Sequence, residues 1–167
     1  MLLKTLAILL FASWLPSIVS AATIILVRHA ERSSGMSADA DLSPAGVKRA
    51  QVLAEMLRDA KIQHIYVTEV RRTQQTAAPT AARLHLKPTV ISQKDTGALV
   101  GELRRLGEDE TVLVVGHADT VPGIIEHLGG GRTPAFRDNE YDRLTVVVTG
   151  RGDKAQVVTL RYGNTGR

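Results

Sequence analysis

The feature of this sequence that most constrains its fold is an alternation of short apolar runs with stretches of helical periodicity. The apolar runs are rich in Val and Ile, a composition typical of strands buried on both faces of a sheet. They occupy residues 23–27, 62–67, 89–91 and 112–115. Apolar residues recur at helical spacing over residues 44–57, 71–84, 97–106 and 121–128. The alternation predicts an α/β fold, a three-layer sandwich in which a mostly parallel central sheet carries helices on both faces.

The C-terminal part of the chain follows a different pattern. Two apolar runs, residues 144–148 and 155–160, are joined by a Gly-Arg-Gly-Asp segment that is typical of a hairpin turn. This pattern predicts an antiparallel element near the C-terminus of the otherwise parallel sheet. A chain of 167 residues is long enough for one domain with a substantial core.

The first 22 residues have the composition of a secretory signal peptide. Lys4 precedes a dense apolar run over residues 6–12, and small residues follow at positions 20–22. The apolar run is short for a membrane-spanning helix, which needs about 20 residues. We therefore predict a signal peptide over residues 1–22, a single domain over residues 23–167, a periplasmic or secreted location and no membrane association after cleavage. An uncleaved N-terminal anchor is the alternative.

Two features of the composition narrow the chemistry. The sequence contains no cysteine, which excludes disulfides, thiolate nucleophiles and a lipid-modified cysteine at the cleavage site. Lys and Arg number 21 against 17 Asp and Glu, and this small excess is spread along the chain without a block of like charges. Such a balance suits a site for an anionic small molecule and gives little indication of nucleic-acid binding.

Two histidines follow buried strands at the edge of the predicted sheet where ligands bind. His29 lies two residues beyond the end of the first apolar run and has Arg28 before it and Arg32 three residues after it. His117 follows the fourth run. In open α/β sheets, ligands lie beyond the carboxyl ends of the strands. The sequence therefore predicts one site that contains both histidines and neighbouring arginines.

Four segments, in order along the chain, resemble the motifs of one known family. Residues 27–31, Val-Arg-His-Ala-Glu, resemble the Arg-His-Gly-Glu signature of the histidine phosphatase superfamily, which includes the cofactor-dependent phosphoglycerate mutases. Residues 42–46 resemble the start of a helix in that family, and residues 67–77 resemble its Ser-Pro-Leu-x-Arg-Thr-x-Gln-Thr-Ala stretch. Gly116 and His117 match the family's second histidine motif. The resemblance extends over nearly the whole chain that follows the signal peptide.

The resemblance implies a role for each residue of the site. His29 accepts the phosphoryl group, because a neutral imidazole is a competent nucleophile near neutral pH. Arg28 and Arg72 bind the phosphate oxygens with planar charged forks, and His117 donates a hydrogen bond to the phosphoryl group. Arg32 is a third phosphate ligand or a cation that selects the substrate. The alternative, that Arg32 is an ordinary surface residue of a loop, has equal weight. This chemistry requires no metal ion and no cofactor.

Two carboxylates are candidates for the residue that protonates the leaving oxygen. Relatives use a carboxyl group, often that of a glutamate, and the usual segment after the third strand is not recognisable here. Asp95 follows the third apolar run and precedes a predicted helix, so it is the first candidate by position. Asp119, two residues beyond His117, is the second candidate and would contact the substrate; a capping or loop-bracing carboxylate is its alternative.

These observations predict an exported, metal-independent phosphomonoesterase that works through a phosphohistidine intermediate. The alternative is an interaction module of the same fold that recognises phosphate without turnover. The partner expected for the enzyme is a phosphorylated small molecule or envelope glycan. The loops over residues 32–41 and 129–140 are the segments expected to select it, and neither carries an interpretable motif. The sequence gives no indication of oligomeric state.

We expect the mature protein to begin near Ala22 or Thr23, because a signal peptidase cuts after small residues. Mass spectrometry of protein recovered from the periplasm or the medium would show this start. Recovery of the full-length chain in the membrane fraction would instead establish the uncleaved anchor.

Overall fold

The computed structural model describes residues 21–34, 39–150 and 154–163. This part of the chain forms six strands in one sheet, with four α-helices packed on it. In chain order the elements are β1 (Thr23–Arg28), α1 (Pro44–Met56), β2 (His64–Val67), α2 (Arg71–Leu84), β3 (Thr89–Val90), α3 (Thr96–Arg104), β4 (Thr111–Gly116), α4 (Thr120–Ile125), β5 (Arg143–Val148) and β6 (Gln156–Arg161). None of the helices described is long and apolar enough to cross a membrane. The predicted signal peptide lies outside the described residues, apart from its last two.

The sheet has the strand order β3-β2-β4-β1-β5-β6. The first four strands of the chain pair in parallel, whereas β5 pairs antiparallel with β1, and β6 pairs antiparallel with β5. The predicted α/β fold, mostly parallel with an antiparallel element near the C-terminus, is confirmed. The turn of the predicted hairpin lies mainly outside the described residues, but its two strands are paired as expected.

Apolar side chains cover both faces of the sheet. One core lies between the sheet and helices α3 and α4, and its central members are Ile24, Leu26, Val112, Val114, Leu103 and Ile124. The other core lies under α1 and α2, and its central members are Ile25, Val27, Leu113, Val115, Leu53 and Ala77. Alternate residues of β1 and β4 therefore point into opposite cores, which is why these strands are continuous apolar runs in the sequence.

Two elements differ from their predicted extents. β3 is a two-residue exposed strand at the edge of the sheet, whereas the sequence predicted a strand over residues 89–91. α4 ends at Ile125, and a π-helical turn, Glu126–Gly130, follows it directly, so the last residues of the helix predicted over residues 121–128 are π-helical. Gly129 has a φ of 85° in this turn, a left-handed conformation that glycine adopts readily and that ends a helix.

The start of α1 packs against the backbone that follows β1. Ser43 caps the helix by accepting a hydrogen bond from the Gly46 N–H, and the Ser43 N–H donates to the Glu31 carbonyl at 2.9 Å. A Cβ atom on Gly46 would overlap the Glu31 carbonyl oxygen. Glycine is therefore required where the two backbones approach each other. This contact explains the glycine in residues 42–46 and holds the loop that begins at His29.

Arg49 of α1 fastens the same loop through an ion pair. Its guanidinium donates to both carboxylate oxygens of Glu31 at 2.8 to 3.0 Å. Its Nη1 donates to the Tyr162 carbonyl at 2.9 Å. Because Arg49 is buried, these hydrogen bonds replace those that water would otherwise supply. The loop after β1 is thereby tied both to α1 and to the segment that follows β6.

We expect Gly46→Ala to lower the free energy of unfolding by about 1–3 kcal/mol, because the added methyl group overlaps the Glu31 backbone. Urea denaturation followed by circular dichroism measures the change. Gly101→Ala in α3 is the matched control, since no atom lies within 4 Å of a Cβ added there. Alanine should stabilise that helix by about 0.5–1 kcal/mol. Equal effects at the two positions would contradict the close approach of α1 to the Glu31 backbone.

Candidate active site

Two histidines leave the sheet side by side at the carboxyl ends of β1 and β4. In the register of these parallel strands Arg28 stands opposite Gly116, so the residues that follow, His29 and His117, emerge at the same edge. The His29 N–H donates to the Gly116 carbonyl at 2.9 Å. Both residues are only 5% exposed, and their rings meet edge to face with centroids 5.4 Å apart. The structure thus brings together two residues that the sequence places after separate strands.

The His29 ring has one protonated nitrogen and one lone pair. Its Nδ1 lies 2.8 Å from the Ala30 carbonyl oxygen, which can only accept a hydrogen bond, so Nδ1 carries the proton. Nε2 is then unprotonated and available as a nucleophile. The pKa of His29 is lowered from 6.5 to about 4, mostly by burial and in smaller part by the positive charge of Arg72. The ring is therefore neutral near neutral pH, the state that nucleophilic attack requires.

Helix α2 supports the backbone beside His29. The buried hydroxyl of Thr76 accepts a hydrogen bond from the Ala30 N–H at 2.9 Å and donates to the Arg72 carbonyl at 2.7 Å. The helix that carries Arg72 therefore also holds the residue after His29. Thr76 belongs to the Thr-x-Gln-Thr pattern noted in the sequence, but only the structure shows what its hydroxyl contacts.

The two adjacent arginines at the start of α2 point in different directions, because neighbouring residues on a helix are about 100° apart. Arg72 turns toward the histidines, and its Nη2 lies 3.4 Å from Nδ1 of His117. Arg71 has a side chain that is 56% exposed and pairs with Asp41 at 2.7 Å. Burial lowers the pKa of Arg72, and so does the charge of Arg32. Arg32 is therefore close enough to act on the same site.

Arg28 holds a loop and also faces the site. Its Nη1 donates to the backbone carbonyls of Arg137 at 3.1 Å, Asp138 at 3.0 Å and Glu140 at 3.1 Å. Its Nε is buried and has no hydrogen-bond partner within residues 21–34, 39–150 and 154–163. From the sequence we expect the planar guanidinium of Arg28 to bind phosphate oxygens. In the structure Nη1 holds the loop between α4 and β5, and Nε is left without a partner in the described part of the chain.

The loop held by Arg28 is anchored by a buried carboxylate. Glu140 accepts hydrogen bonds from the Arg143 guanidinium at 2.7 and 2.9 Å and from the Arg137 N–H at 3.0 Å, and pairs with Arg161 at 2.6 Å. Burial opposes ionisation of Glu140, but the Arg137 N–H and the two guanidiniums lower its pKa to about 2. The loop therefore presents its carbonyls to Arg28 from an anchored position.

Tyr141, at the end of this loop, is a neighbour of the site that sequence reasoning missed. The centre of its ring lies 4.2 Å from Cζ of Arg28 and 6.0 Å from the centre of the His29 ring. An aromatic face attracts a guanidinium stacked on it and so limits its orientation. Tyr141 lies just beyond the loop over residues 129–140, and a single aromatic residue there gives no signal in one sequence.

His117 is held from two sides of its ring. Its Nε2 lies 3.1 Å from the Thr68 hydroxyl oxygen, and its Nδ1 faces the guanidinium of Arg72, which can only donate. The pKa of His117 is lowered from 6.5 to about 4, mostly by burial and in smaller part by the charge of Arg72. A neutral His117 thus presents Nδ1 as an acceptor. The hydrogen bond to phosphate that we expect from the sequence requires an additional proton on this nitrogen.

The two candidate acids occupy different environments. The Asp95 carboxylate accepts the Ala98 N–H at 2.9 Å and so caps α3. Asp119 stands at the N-cap position of α4 without a side-chain capping bond, and its charge acts on both His117 and Arg72. Of the two, Asp119 is therefore the carboxylate whose charge acts on His117.

A third carboxylate, Glu69, lies at the rim of the site. It accepts hydrogen bonds from the Gln93 N–H at 2.9 Å and from the Ser92 hydroxyl at 3.2 Å. The bond from Gln93 contributes most to lowering the pKa of Glu69, and the charge of Glu69 in turn raises the pKa of His117. Because these contacts stabilise its ionised form, Glu69 is poorly suited to donate a proton.

Within the described ranges, no three His, Cys, Asp or Glu side chains are grouped so that they could hold a metal ion. The positive charge that the described structure brings to the site belongs to arginines. The charges of Arg28 and Arg72 lower the pKa of His29, and the charges of Arg28 and Arg32 lower the pKa of Arg72.

Comparison with known proteins agrees with this arrangement. The sequence model of the histidine phosphatase superfamily, branch 1, matches residues 24–95. Phosphoglycerate mutase-like protein 4 of Arabidopsis thaliana is 28% identical over 162 residues, an alignment that covers 87% of this chain and 68% of that protein. The chain is thus similar to the histidine phosphatase superfamily over residues 24–95 and to this relative over most of its length.

Solved structures of several phosphatases share the fold. The protein histidine phosphatase SixA, in complex with tungstate, has a TM-score of 0.71 at 20% identity, with 83% of this chain and 96% of that chain covered. Phosphoserine phosphatase of Entamoeba histolytica, in complex with 3-phosphoglyceric acid, has a TM-score of 0.61 at 16% identity, with 87% and 98% covered. Mycobacterial glucosyl-3-phosphoglycerate phosphatase has a TM-score of 0.62 at 15% identity, with 87% and 100% covered.

We expect the C2 protons of His29 and His117 to titrate near pH 4 in the folded protein, well below the ordinary value of 6.5, because burial and the arginines disfavour the charged rings. Proton NMR measures both midpoints, and His29→Gln and His117→Gln assign the signals. Between pH 4 and 6.5 the unfolded chain binds more protons than the folded one, so these residues lower the free energy of unfolding as the pH falls through that window. Midpoints near 6.5 would contradict the burial of the pair.

Proposed function

We propose that this protein is an exported, metal-independent phosphomonoesterase that hydrolyses phosphate esters through a phosphohistidine intermediate. The observation that carries the proposal is the buried, neutral His29, whose Nε2 lone pair lies in a site shared with His117 and Arg72. Phosphoryl transfer to a protein side chain needs such a nucleophile, whereas a surface that only recognises phosphate does not. The alternative, a phosphate-recognising module without turnover, would use the arginines and leave the lone pair idle.

The reaction takes two steps. In the first, Nε2 of His29 attacks phosphorus, the N–P bond forms, and the P–O bond to the leaving group breaks in line with it. The leaving oxygen takes a proton from a carboxylic acid of the site. In the second step water attacks phosphorus, the P–N bond breaks, and the proton of the water returns to that carboxylate. The hydrogen bond from Nδ1 to the Ala30 carbonyl stabilises the positive charge that the phosphorylated ring carries.

Arginine side chains supply the charge that metal ions supply in other phosphatases. A buried N–H without an acceptor is unfavourable by about 1–3 kcal/mol, so the Nε of Arg28 is a donor that a phosphoryl oxygen would satisfy. Arg72 presents its guanidinium from α2, next to His117. Arg32 is exposed, and we assign it to the outer part of the substrate, where it would favour a further negative charge.

We assign the general acid to Asp119 in preference to Asp95, which reverses the order expected from position in the sequence. The Asp95 carboxylate already caps α3, and releasing it would weaken the start of that helix. Asp119 makes no such capping bond, and its charge acts on His117. The second carboxylate is therefore better placed to serve the leaving group.

Export through a cleaved signal peptide is part of the proposal. Ala22 is buried, its N–H donates to the Thr149 hydroxyl at 3.2 Å, and its carbonyl accepts the Thr149 N–H at 3.0 Å. A cut directly before Ala22 would keep these contacts and the complete first strand. The substrates that fit this location are phosphorylated small molecules and envelope glycans, and phosphohistidine peptides join the panel because SixA shares the fold.

The experiment that tests the enzyme is capture of the intermediate. We expect the purified protein to hydrolyse an aryl phosphate in the presence of EDTA, to be inhibited by vanadate, and to retain radiolabelled phosphate on histidine after rapid quenching. His29→Ala should abolish hydrolysis and label, because it removes the nucleophile. His64→Ala is the matched control, since His64 is an exposed histidine of β2 that pairs with Glu110.

Two results would contradict this proposal. Phosphate binding with neither hydrolysis nor label would leave the recognition module as the function. Loss of activity in EDTA that a divalent ion restores would contradict metal independence.

The assignment of the acid is tested with leaving groups of different quality. We expect Asp119→Asn to slow an alkyl phosphate by about 10²–10⁴-fold and to affect an aryl phosphate little, because a phenolate departs without protonation. Asp95→Asn is the matched variant. It should show no such selectivity and should change the free energy of unfolding little, because the Asn side-chain oxygen can accept the Ala98 N–H and cap α3 as Asp does. If Asp95→Asn, and not Asp119→Asn, slows the alkyl phosphate selectively, Asp95 is the general acid and the assignment to Asp119 is wrong.

A further inference from the structure

A chain of hydroxyl groups lies against the Nε2 edge of His117. Thr68, directly after β2, and Thr73 of α2 are both buried. The Thr68 hydroxyl oxygen lies 3.1 Å from Nε2 of His117 and 2.9 Å from the Thr73 hydroxyl oxygen. The Thr73 oxygen in turn lies 2.8 Å from the Val70 carbonyl oxygen and 3.2 Å from that of Thr68. The histidine is thus connected to backbone carbonyls through two hydroxyl groups.

Counting protons along this chain leaves one arrangement. Carbonyl oxygens only accept, so the Thr73 hydroxyl donates its single proton to a carbonyl. Its oxygen then accepts from the Thr68 hydroxyl and also from the Thr68 N–H at 3.1 Å. With its own proton committed, the Thr68 oxygen faces Nε2 as an acceptor, and Nε2 of His117 must be protonated. In the opposite arrangement, the Thr73 hydroxyl would donate to Thr68 and the Thr68 hydroxyl to Nε2. The Thr73 oxygen would then lie 2.8 Å from the Val70 carbonyl oxygen with no proton between the two atoms.

The other edge of the ring selects the same tautomer. The guanidinium of Arg72 can only donate, so the Nδ1 that faces its Nη2 at 3.4 Å is an acceptor. His29 has the opposite arrangement, with Nδ1 protonated toward the Ala30 carbonyl and Nε2 bare. The two histidines of the site therefore carry opposite tautomers, each determined by a different acceptor.

We propose that Thr68, oriented by Thr73, is a positioning residue that holds His117 as the Nε2–H tautomer with its Nδ1 lone pair turned toward Arg72 and the phosphate. The tautomer follows from this geometry by itself, whereas its effect on turnover rests on the proposed function.

This tautomer determines which nitrogen of His117 takes up an additional proton. Thr68 accepts the Nε2 proton whether His117 is neutral or charged, so any proton that the ring gains goes to Nδ1. The remaining proton of a monoanionic phosphate ester can move from a phosphoryl oxygen to Nδ1. The resulting Nδ1–H donates back to that oxygen as charge develops there. Arg72, Asp119, Glu69 and Arg28 are the charged groups whose fields act on the ring.

Long-range proton–nitrogen NMR of the labelled protein at neutral pH tests the tautomer directly. We expect His117 to show a protonated Nε2, protected from solvent exchange, and an unprotonated Nδ1. Thr68→Ser keeps the hydroxyl and should keep this signal. Thr68→Val keeps the shape but offers no acceptor, so the protected signal should be lost. An unprotonated Nε2 in the wild type, or an unchanged protected signal in Thr68→Val, overturns the proposal.

The same variants link the tautomer to catalysis. We expect kcat for an aryl phosphate to fall about 10- to 100-fold in Thr68→Val with little change in KM, and to recover to within about threefold of the wild type in Thr68→Ser. Thr80→Val is the matched control, because Thr80 is buried in α2 and its hydroxyl has no partner in the described part of the chain. It should leave kcat unchanged.

Thermal unfolding of each variant separates a local effect from loss of the fold. If Thr68→Val does not fold, Thr73→Val removes the support of the Thr68 hydroxyl and should lower kcat in the same way. Wild-type kcat in a folded Thr68→Val overturns the positioning role. A wild type that shows the protected Nε2 proton but turns over no substrate would contradict the proposed function and leave the tautomer assignment intact.

Discussion

The parallel pairing of β1 with β4 is the constraint on which the rest of the site depends. Its register makes His29 and His117 neighbours although they are far apart in the chain, and the backbone hydrogen bond from His29 to Gly116 extends the pairing beyond the strands. Gly116 is needed there, because a Cβ atom would lie 2.9 Å from Val121 at the start of α4. A shift of one residue in this register would turn side chains to the opposite face of the sheet and separate the histidines.

Burial then gives this pair its chemistry. A charged imidazole would be repelled by the neighbouring arginines and would lose its hydration in the buried site. Burial, with a smaller contribution from the arginines, therefore lowers the pKa of each histidine to about 4. Each neutral ring has one N–H and one lone pair, and the protein binds the N–H in each case. The Ala30 carbonyl accepts that of His29, and the Thr68 hydroxyl accepts that of His117. In the mechanism that we propose, the lone pair of His29 attacks phosphorus and that of His117 takes up a proton.

Helix α2 and the loop before β5 support the site. The sequence indicated the residues of α2 but gave no indication of the role of the loop. Thr73 and Thr76 lie in a stretch that resembles a family motif, so their presence was visible but their contacts with Thr68 and Ala30 were not. The loop had no pattern, and neither its attachment to Arg28 nor the position of Tyr141 was predictable. Both depend on contacts between segments far apart in the chain, which a single sequence does not record.

The sequence by itself determined the order of strands and helices, the mostly parallel sheet with its antiparallel end, and the identity of the two histidines after β1 and β4. Apolar periodicity and strand ends are local properties, so one chain contains them. Only the tertiary structure decided which nitrogen of each histidine carries the proton, that one arm of Arg28 holds a loop, and that Asp95 caps a helix while the charge of Asp119 reaches His117. These outcomes depend on which acceptor or charge lies within a few ångströms of an atom, and folding alone sets those distances.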